Sequence, residues 1–208
     1  MAKLVQSDVR ANLRNFLKDT NSGNYTWTDD ELNQYILDGV RFCSRGRRPK
    51  IWNESEDESL TTVASQDTYD VPTGIIQIFE IWIQGQSGGT TYKNIRKFRV
   101  FNDKIRFALD YVPSLTGLTI RLKAATKMTT ITDVDEEYED IIRFYASHLA
   151  MESLTNDLSK FNTYSASLQD IKEKDVERLA SRYYNTAERE LAKNAKPYKP
   201  VYMGGGQY

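Results

Sequence analysis

Few residues in this sequence have the chemistry that catalysis requires. His148 is the single histidine and Cys43 the single cysteine, which excludes a multi-histidine metal site and a zinc cluster built from four nitrogen or sulfur ligands. A serine or cysteine triad would have to use His148. Because His148 falls in the helical run FYASHLAME, a partly buried or interface histidine is the simpler interpretation. The sequence therefore predicts no catalytic residue, no metal ligand and no cofactor.

Two acidic runs offer the paired carboxylates on which glycosidases depend. DVDEEYED covers residues 133–140, and NESEDES covers residues 53–59. The first is typical of a helix start, where acids favour the positive end of the helix dipole. The second is predicted to be a solvated loop. Neither run places a carboxylate in an apolar pocket, as a general acid requires.

Phosphate and nucleic-acid chemistry have weak candidates. GQSGG, residues 85–89, lacks the lysine and the following helix of a P-loop, so we predict a hairpin turn. Arginines in RFCSRGRRPK, residues 41–50, are favoured by a helix end, with contact to DNA or to an acidic partner as the alternative. KNIRKFR, residues 93–99, interleaves cations with Ile95 and Phe98, as an exposed strand would. It is predicted to line a DNA channel or to keep a sheet soluble.

The composition predicts a soluble globular protein. Lys and Arg number 28 against 29 for Asp and Glu, so the net charge of -1 gives no global attraction to nucleic acid or to an anionic membrane. No segment approaches the roughly 20 apolar residues of a membrane span, and the N-terminus lacks the apolar run of a signal peptide. A single cysteine excludes an internal disulfide and fits a reducing cytoplasm.

Helical elements are predicted at the N-terminal end of the chain. A first helix has Ser7 as its candidate cap and an apolar face that includes Leu13 and Leu17. Thr28 with Glu31 forms a capping box for a second helix, and Trp27 lies where a hydrophobic staple closes. The apolar stripe of this second helix consists of Leu32, Tyr35, Ile36, Val40 and Cys43.

The middle of the chain is predicted to be β-rich. From about Ser59 to Thr126 it reads as short runs separated by turns: SLTTVA, TYDV, IIQIFEIWIQ, TYKNIRKFRV, KIRFALDY and LTIRLKAAT. Even-numbered residues of IIQIFEIWIQ, residues 75–84, fall on one face and odd-numbered residues on the other. Both faces are largely apolar, which predicts a central strand in a small sandwich or barrel. FNDK, residues 101–104, is a tight turn.

Helices resume after the β-rich region. ITDVDEEYEDIIRFYASHLAMESL has Thr132 or Asp133 as its candidate cap, and a last helix runs from about Ile171 to Ala195. The predicted fold class is α+β: a helical bundle of about four helices with an inserted antiparallel β-domain and an extended C-terminal arm. The predicted boundaries are 1–52 and 129–195 for the bundle, 53–128 for the β-domain and 196–208 for the arm.

The ending AKPYKPVYMGGGQY is unusually aromatic for a terminus. Pro197 and Pro200 forbid a helix and favour an extended backbone, which lowers the entropy lost on docking. The predicted arm presents amphipathic anchors, and its residues are Pro197, Tyr198, Pro200, Val201, Tyr202, Met203 and Tyr208. An inert terminus is the alternative.

Both helical regions resemble a known family. NYTWTDDELNQYILDGVRF, which follows FLKDTNSG, is similar to the N-terminal region of head-to-tail connector (adaptor) proteins of tailed bacteriophages. In that family an aromatic loop leads into a "W-[ST]-[DE]-x-E-L" helix start, matched in order by residues 27–32. The later acidic helix start followed by Tyr145, Ala146 and Ala150 resembles the family's next helix. The β-insert departs from the smallest members, which have only a loop there.

The resemblance implies a structural, non-enzymatic virion protein, assembled in the host cytoplasm. Members form rings, typically dodecameric, that dock beneath the portal protein and offer a platform to the tail or nozzle protein. Genomic DNA passes through the lumen without sequence-specific binding, and no membrane is involved. In such a ring the arm would run along the portal.

The ring also gives the charged runs candidate roles. Its candidate inter-subunit charges are Arg45, Arg47, Arg48, Asp135, Glu136 and Glu137. Its candidate channel or tail-facing cations are Lys93, Arg96, Lys97 and Arg99. Two alternatives remain open: a virion cell-wall hydrolase or carbohydrate-binding protein that uses the aromatic β-insert, and a small DNA-binding packaging protein that uses the arginine run.

Overall fold

The structure, a computed structural model, describes residues 2–45, 50–85, 91–168 and 171–196. Within these ranges lie five α-helices and seven β-strands. The helices are α1 (Gln6–Leu17), α2 (Asp29–Cys43), α3 (Glu139–Asn156), α4 (Leu158–Leu168) and α5 (Glu173–Lys193). The strands are β1 (Asn53–Thr61), β2 (Thr68–Asp70), β3 (Ile75–Gln84), β4 (Tyr92–Asn94), β5 (Phe98–Phe101), β6 (Lys104–Phe107) and β7 (Thr119–Thr126). The predicted α+β class is confirmed.

The chain divides into two compact units. The helical unit contains residues 2–51 and 128–196 and carries all the α-helices described above. The β unit contains residues 52–127 and carries the strands. In the part of the chain that the structure describes, no helix combines the length and the apolar character needed to cross a bilayer.

The start of α1 differs from the prediction. The N-terminal segment is held extended because Leu4 N–H donates to the Val134 carbonyl at 3.0 Å. Val5 is therefore still extended at the N-cap position, and helical geometry begins at Gln6 without a side-chain cap. The prediction of Ser7 as the cap is wrong, because Ser7 already lies inside the first turn.

The start of α2 is confirmed in detail. Glu31 N–H donates to Thr28 Oγ1 at 3.2 Å, and Thr28 N–H donates to Glu31 Oε2 at 2.9 Å, which completes the capping box. Burial by itself raises the pKa of Glu31, but hydrogen bonds from Lys160 and Thr28 hold that pKa below its ordinary value. The predicted stripe is buried at Leu32, Ile36, Val40 and Cys43.

The helix α3 lies at the centre of the helical unit and packs against α5, α2 and α1. Its approach to α2 depends on Gly39. A Cβ at Gly39 would lie 3.0 Å from Ile142 Cγ2 and 3.1 Å from the Ile142 carbonyl oxygen. Alanine at this position would therefore require Ile142 to shift by a few tenths of an ångström.

The start of α3 is also later than predicted. Asp133 does not cap it: its carboxylate accepts hydrogen bonds from the backbone N–H groups of Thr129 and Thr130, both at 2.8 Å. These bonds cap a short 3-10 turn over Ile131–Asp133, whose backbone bonds run from Asp133 N–H to the Thr130 carbonyl and from Val134 N–H to the Ile131 carbonyl. Burial opposes ionisation of Asp133, but the bonds from Thr129 and Thr130 hold its pKa below the ordinary value. The α-helix starts only at Glu139, so most of the acidic run precedes it.

One helix, α4, was not predicted. Asp157 interrupts α3 with an extended backbone, and its carboxylate then accepts bonds from Ser159 N–H at 3.0 Å and Lys160 N–H at 3.1 Å. This is the geometry of a new helix start. Tyr164 anchors α4 by donating a hydrogen bond to the Leu17 carbonyl at 3.2 Å. Phe161 of α4, partly buried, packs against the same core.

The β unit consists of two antiparallel sheets over one core. The four-stranded sheet has the order β1-β7-β3-β4, and the three-stranded sheet has the order β2-β6-β5. Buried side chains from both sheets meet, among them Ile81 and Leu122 from the first and Tyr69 and Ile105 from the second. The strand β3 lies between β7 and β4, which confirms its predicted central position.

The two faces of β3 do not alternate as predicted. Ile78, Ile81 and Ile83 are all buried in the same core, although Ile78 is even-numbered and the other two are odd-numbered. The register against β7 shifts between Ile78 and Glu80. A β-bulge at this point inserts one extra residue and reverses the alternation.

The acidic run at residues 53–59 is a strand, so its prediction as a solvated loop is wrong. It forms most of β1, which pairs antiparallel with β7 at the edge of the four-stranded sheet. Its glutamates occupy the solvent face, where Arg121 Nε lies 2.6 Å from Glu58 Oε1 and 3.7 Å from Glu56 Oε2. Pairing with β7 satisfies the backbone groups along one edge of β1, so the strand forms with little apolar character of its own.

Both predicted turns of the β-rich region involve glycine or asparagine. At the β5–β6 turn, Asn102 and Asp103 have φ angles of 47° and 55°, as a two-residue hairpin turn requires. This confirms the turn predicted for residues 101–104. The turn predicted for residues 85–89 lies, beyond Gly85, outside the described residues.

Cys43 is expected to resist alkylation in the folded protein. Its side chain is fully buried, and burial raises the pKa of the thiol to about 12. At pH 8 we expect iodoacetamide to react more than about 100-fold slower with native protein than with protein in urea. A Ser7→Cys variant supplies an exposed thiol as the control, since Ser7 faces solvent. Equal rates at the two thiols would contradict the buried position.

Candidate assembly surfaces

The residues with catalytic potential are used in packing. Within the described residues, no group of three or more His, Cys, Asp or Glu side chains is arranged to hold a metal ion. The His148 ring packs edge-on against Tyr145 and Tyr184, with centroids 5.8 and 5.2 Å away. Its Nε2 lies 3.7 Å from Glu152 Oε2, one helical turn along α3. His148 is thus part of an aromatic cluster between helices.

The four cations predicted to face a channel or the tail lie together on the β unit. Lys93, Arg96, Lys97 and Arg99 are all exposed. They do not share one strand, because the segment predicted as a single strand forms β4 and β5 in different sheets. Its apolar residues explain the break: Ile95 N–H donates to the Ile81 carbonyl at 2.7 Å, and buried Phe98 begins β5.

Arg45 already has partners within its own chain. Its guanidinium forms an ion pair with Glu188 of α5 and lies over the Phe42 ring, 4.3 Å from the centroid. Lys50 Nζ is 4.0 Å from the same carboxylate. Of the other predicted inter-subunit arginines, Arg47 and Arg48 lie outside the described residues.

The acidic members of the predicted inter-subunit pairing are divided. Asp135 forms a bridge with Lys3, and Lys3 Nζ lies 2.9 Å from Asp135 Oδ1. Glu136 and Glu137 are exposed. Burial, with a hydrogen bond to Glu137, raises the pKa of Tyr138 above its ordinary value. Glu136 and Glu137 are the exposed members of the acidic set, and Glu137 also accepts a hydrogen bond from Tyr138.

The predicted portal-docking arm lies outside the described residues. This applies to Pro197, Tyr198, Pro200, Val201, Tyr202, Met203 and Tyr208. The last described residues are tied to the helical unit, because Lys196 N–H donates to the Lys50 carbonyl at 2.7 Å. The arm thus stays a prediction.

Two surface features were missed from the sequence. One is the acidic edge strand β1, whose only signal is the alternation of Glu54, Glu56 and Glu58 with other polar residues. The other is a pair of large exposed apolar side chains, Phe101 at 75% and Leu109 at 87% exposure. A strand is recognised from sequence by apolar residues that alternate with polar ones, so a run in which all residues are polar is not recognised as a strand. Apolar residue type alone predicts burial, so the exposure of Phe101 and Leu109 could not be predicted either.

The described surface of this protein combines charged and apolar side chains. Its candidate catalytic residues serve packing, and its exposed charges and apolar side chains are spread over sheet edges and helix ends. The model of the SU10 adaptor protein family matches residues 5–190, and the chain belongs to this family. Membership implies a structural, non-enzymatic phage protein located in the virion. No protein of curated function matches the sequence.

Proposed function

We propose that this protein is a head-tail adaptor that forms a ring beneath the portal and provides the docking platform for the tail, with DNA passing through the centre. The observation that carries the proposal is the family match, which extends over residues 5–190 and therefore includes the β unit as well as the helices. Assembly from many copies also suits a chain with near-neutral net charge, because self-repulsion is small.

Subunit contacts are proposed to use the predicted pairing of the arginine run with the acidic run. Arg45 and Asp135 have intrachain partners, so the remaining candidates are Arg47 and Arg48, which lie outside the described residues, and the exposed Glu136 and Glu137 of a neighbouring copy. Reversal of both arginines to glutamate is expected to weaken ring assembly. Unchanged assembly would remove this pairing from the proposal.

Exposed cations of the β unit are proposed to face the channel or the tail, and the candidates are four. Lys93, Arg96, Lys97 and Arg99 lie on one continuous segment. Contacts of lysine and arginine with phosphate are independent of sequence and weaken as salt rises. Such contacts suit DNA that must pass through a lumen without being held.

Portal attachment is proposed to depend on residues 197–208. Tyr198 and Tyr202 are the aromatic anchors of this arm, and aromatic residues dominate the energetics of docking. The full chain mixed with its portal protein is expected to give an added ring in electron micrographs. Replacing Tyr198 and Tyr202 by serine is expected to weaken attachment about tenfold or more.

Gly204→Ser with Gly206→Ser is the matched control, because it changes the same segment without removing an aromatic ring. Attachment of the tyrosine variant at the strength of the control would exclude the arm. Failure of the unaltered chain to form any ring with the portal would overturn the adaptor role. Turnover of peptidoglycan would then favour a hydrolase, and salt-dependent duplex binding a packaging protein.

A further inference from the structure

The β unit has two sheet edges of opposite charge. β1 is an outer strand of the four-stranded sheet, and β5 is an outer strand of the three-stranded sheet. Beside β1, the Glu56 and Glu58 side chains are 58% and 46% exposed; Arg121 of β7 forms an ion pair with each of them, and one cation against two carboxylates leaves the edge net negative. Beside β5, Arg96, Lys97 and Arg99 are exposed. Charge on an open edge normally prevents unwanted strand pairing. When two edges carry opposite charge, an edge repels its own equivalent on another copy and attracts the other edge.

The environment of Arg99 makes the β5 edge strongly positive. Arg99 lies directly opposite Arg106 in the β5–β6 pair. Arg106 is compensated by Asp67, whose Oδ2 lies 3.0 Å from Arg106 Nε. No acid that the structure describes forms an ion pair with Arg99. Like charges directly opposite each other destabilise a sheet, so Arg99 gains from an external carboxylate.

The sheet orders and the short connections between the sheets predict that β1 and β5 lie on opposite sides of the two-sheet stack. The chain passes from β1 to β2 through residues 62–67 and from β4 to β5 through residues 95–97. Such short connections place β1 over β2 and β4 over β5. The first crossing is held by a hydrogen bond from Val63 N–H to Tyr69 Oη at 3.0 Å. Two different contact surfaces on opposite sides of a subunit are what a head-to-tail ring requires.

The β5 edge also offers backbone and apolar groups. Because the turn between β5 and β6 has two residues, Phe101 and Lys104 are the hydrogen-bonded pair next to the turn. By the alternation of antiparallel bonds, the N–H and C=O groups of Phe98 and Val100 then point away from β6. Phe101 is 75% exposed and Val100 is 41% exposed. Exposed apolar side chains beside an open strand edge mark a contact surface.

We propose that β5 of one copy pairs with β1 of the next copy at each subunit boundary of the ring, an inference that rests on the proposed adaptor function. Glu56 and Glu58 of β1 then meet Arg96 and Arg99 beside β5 of the neighbour. Contacts of β1 with β1, or of β5 with β5, bring like charges together and are excluded. Of the four cations that are candidates for the channel or the tail, the contact assigns Arg96 and Arg99 to a neighbouring subunit and leaves Lys93 and Lys97 for the channel or the tail.

Charge reversal tests this contact on the full chain with its portal. Variant A carries Glu56→Lys and Glu58→Lys, and variant B carries Arg96→Glu and Arg99→Glu. Each variant alone faces like charge at every boundary, so we expect ring yield to fall about tenfold or more. Matched controls reverse two exposed charges of the same sign on α5: Glu173→Lys with Glu177→Lys for A, and Arg178→Glu with Arg189→Glu for B. These controls are expected to form rings at the level of the unaltered chain.

An equal mixture of A and B is the decisive sample. The reversed β1 edge of A is complementary to the reversed β5 edge of B, and the unaltered edges are complementary too. Alternating A and B therefore satisfies every boundary of an even-numbered ring, and ring yield should recover. Recovery also demonstrates that both variants fold.

Three other outcomes overturn the contact. Rings from A or B alone at the control level would exclude it, and so would a mixture that stays unassembled. An unaltered chain that forms no ring with the portal removes the adaptor role and the contact together. Rings from the unaltered chain combined with either of the first two results overturn the contact alone, so the two failures are distinguishable.

Discussion

Replacing Arg14 by alanine is expected to lower the free energy of unfolding by about 3–5 kcal/mol, because it leaves a buried carboxylate without its cation. The Arg14 and Asp19 side chains are only 9% and 3% exposed, and Arg14 Nη1 lies 2.5 Å from Asp19 Oδ2. Arg14 Nη2 also donates to the Trp27 carbonyl at 2.9 Å and to Asp29 Oδ1 at 2.8 Å. One side chain thus ties α1 to the loop and to the start of α2. Urea unfolding followed by circular dichroism measures the loss.

Arg10 provides the matched control for this measurement. It lies one turn earlier on α1, and its guanidinium is 3.4 Å from Asp29 at the surface. Arg10→Ala is expected to cost less than about 1 kcal/mol, as exposed ion pairs do. The double variant Arg14→Met with Asp19→Asn removes both buried charges and should recover most of the loss. If Arg14→Ala costs no more than Arg10→Ala, then water reaches Asp19 and the pair is not buried in solution.

The elements predicted correctly from the sequence are those fixed by neighbouring residues. The start of α2 needs only Thr28 and Glu31, which are three positions apart, and the β5–β6 turn needs only Asn102 and Asp103. Local signals of this kind are complete within a few residues, so reading them requires no knowledge of the tertiary structure. The helical stripe of α2 is similarly local.

The errors arise where a distant segment decides the structure. β1 exists because its backbone pairs with β7. The paired residues are far apart in sequence: Asp57 lies opposite Leu122, more than 60 positions later. The backbone hydrogen bonds between strands do not depend on the side chain, so a glutamate forms them as readily as a valine. The late start of α3 depends on the N-terminal segment, because Leu4 pairs with Val134. Neither partner can be identified from the run of residues it pairs with.

The candidate assembly surfaces divide in the same way. Side-chain chemistry alone identified the exposed cations of residues 93–99, since lysine and arginine seldom lie inside. It could not show that Arg45 is held by Glu188, which lies 143 positions away. The opposite charges of the two sheet edges emerged only once residues 53–59 were known to be a strand.

Trp27 is expected to give the second large effect, with Trp27→Ala lowering the free energy of unfolding by about 3–5 kcal/mol. Its side chain is fully buried. The ring lies 5.2 Å from the Tyr164 ring, centroid to centroid, and Nε1 donates to Ser153 Oγ at 2.9 Å. One residue before the α2 cap therefore contacts both α3 and α4. Alanine would leave a cavity at the point where these helices meet, measurable by urea unfolding.

Trp27→Phe separates the volume of the ring from its hydrogen bond. The Ser153 hydroxyl also donates to the Ala150 carbonyl at 2.7 Å, so it stays bonded when the indole is lost. Phenylalanine should therefore cost less than about 1.5 kcal/mol, as should Ser153→Ala. If phenylalanine costs as much as alanine, the hydrogen bond and not burial makes tryptophan necessary. In the expected case, the tryptophan of the W-T-D-D-E-L helix start serves the stability of each subunit, and contacts between subunits must be sought on the exposed surfaces.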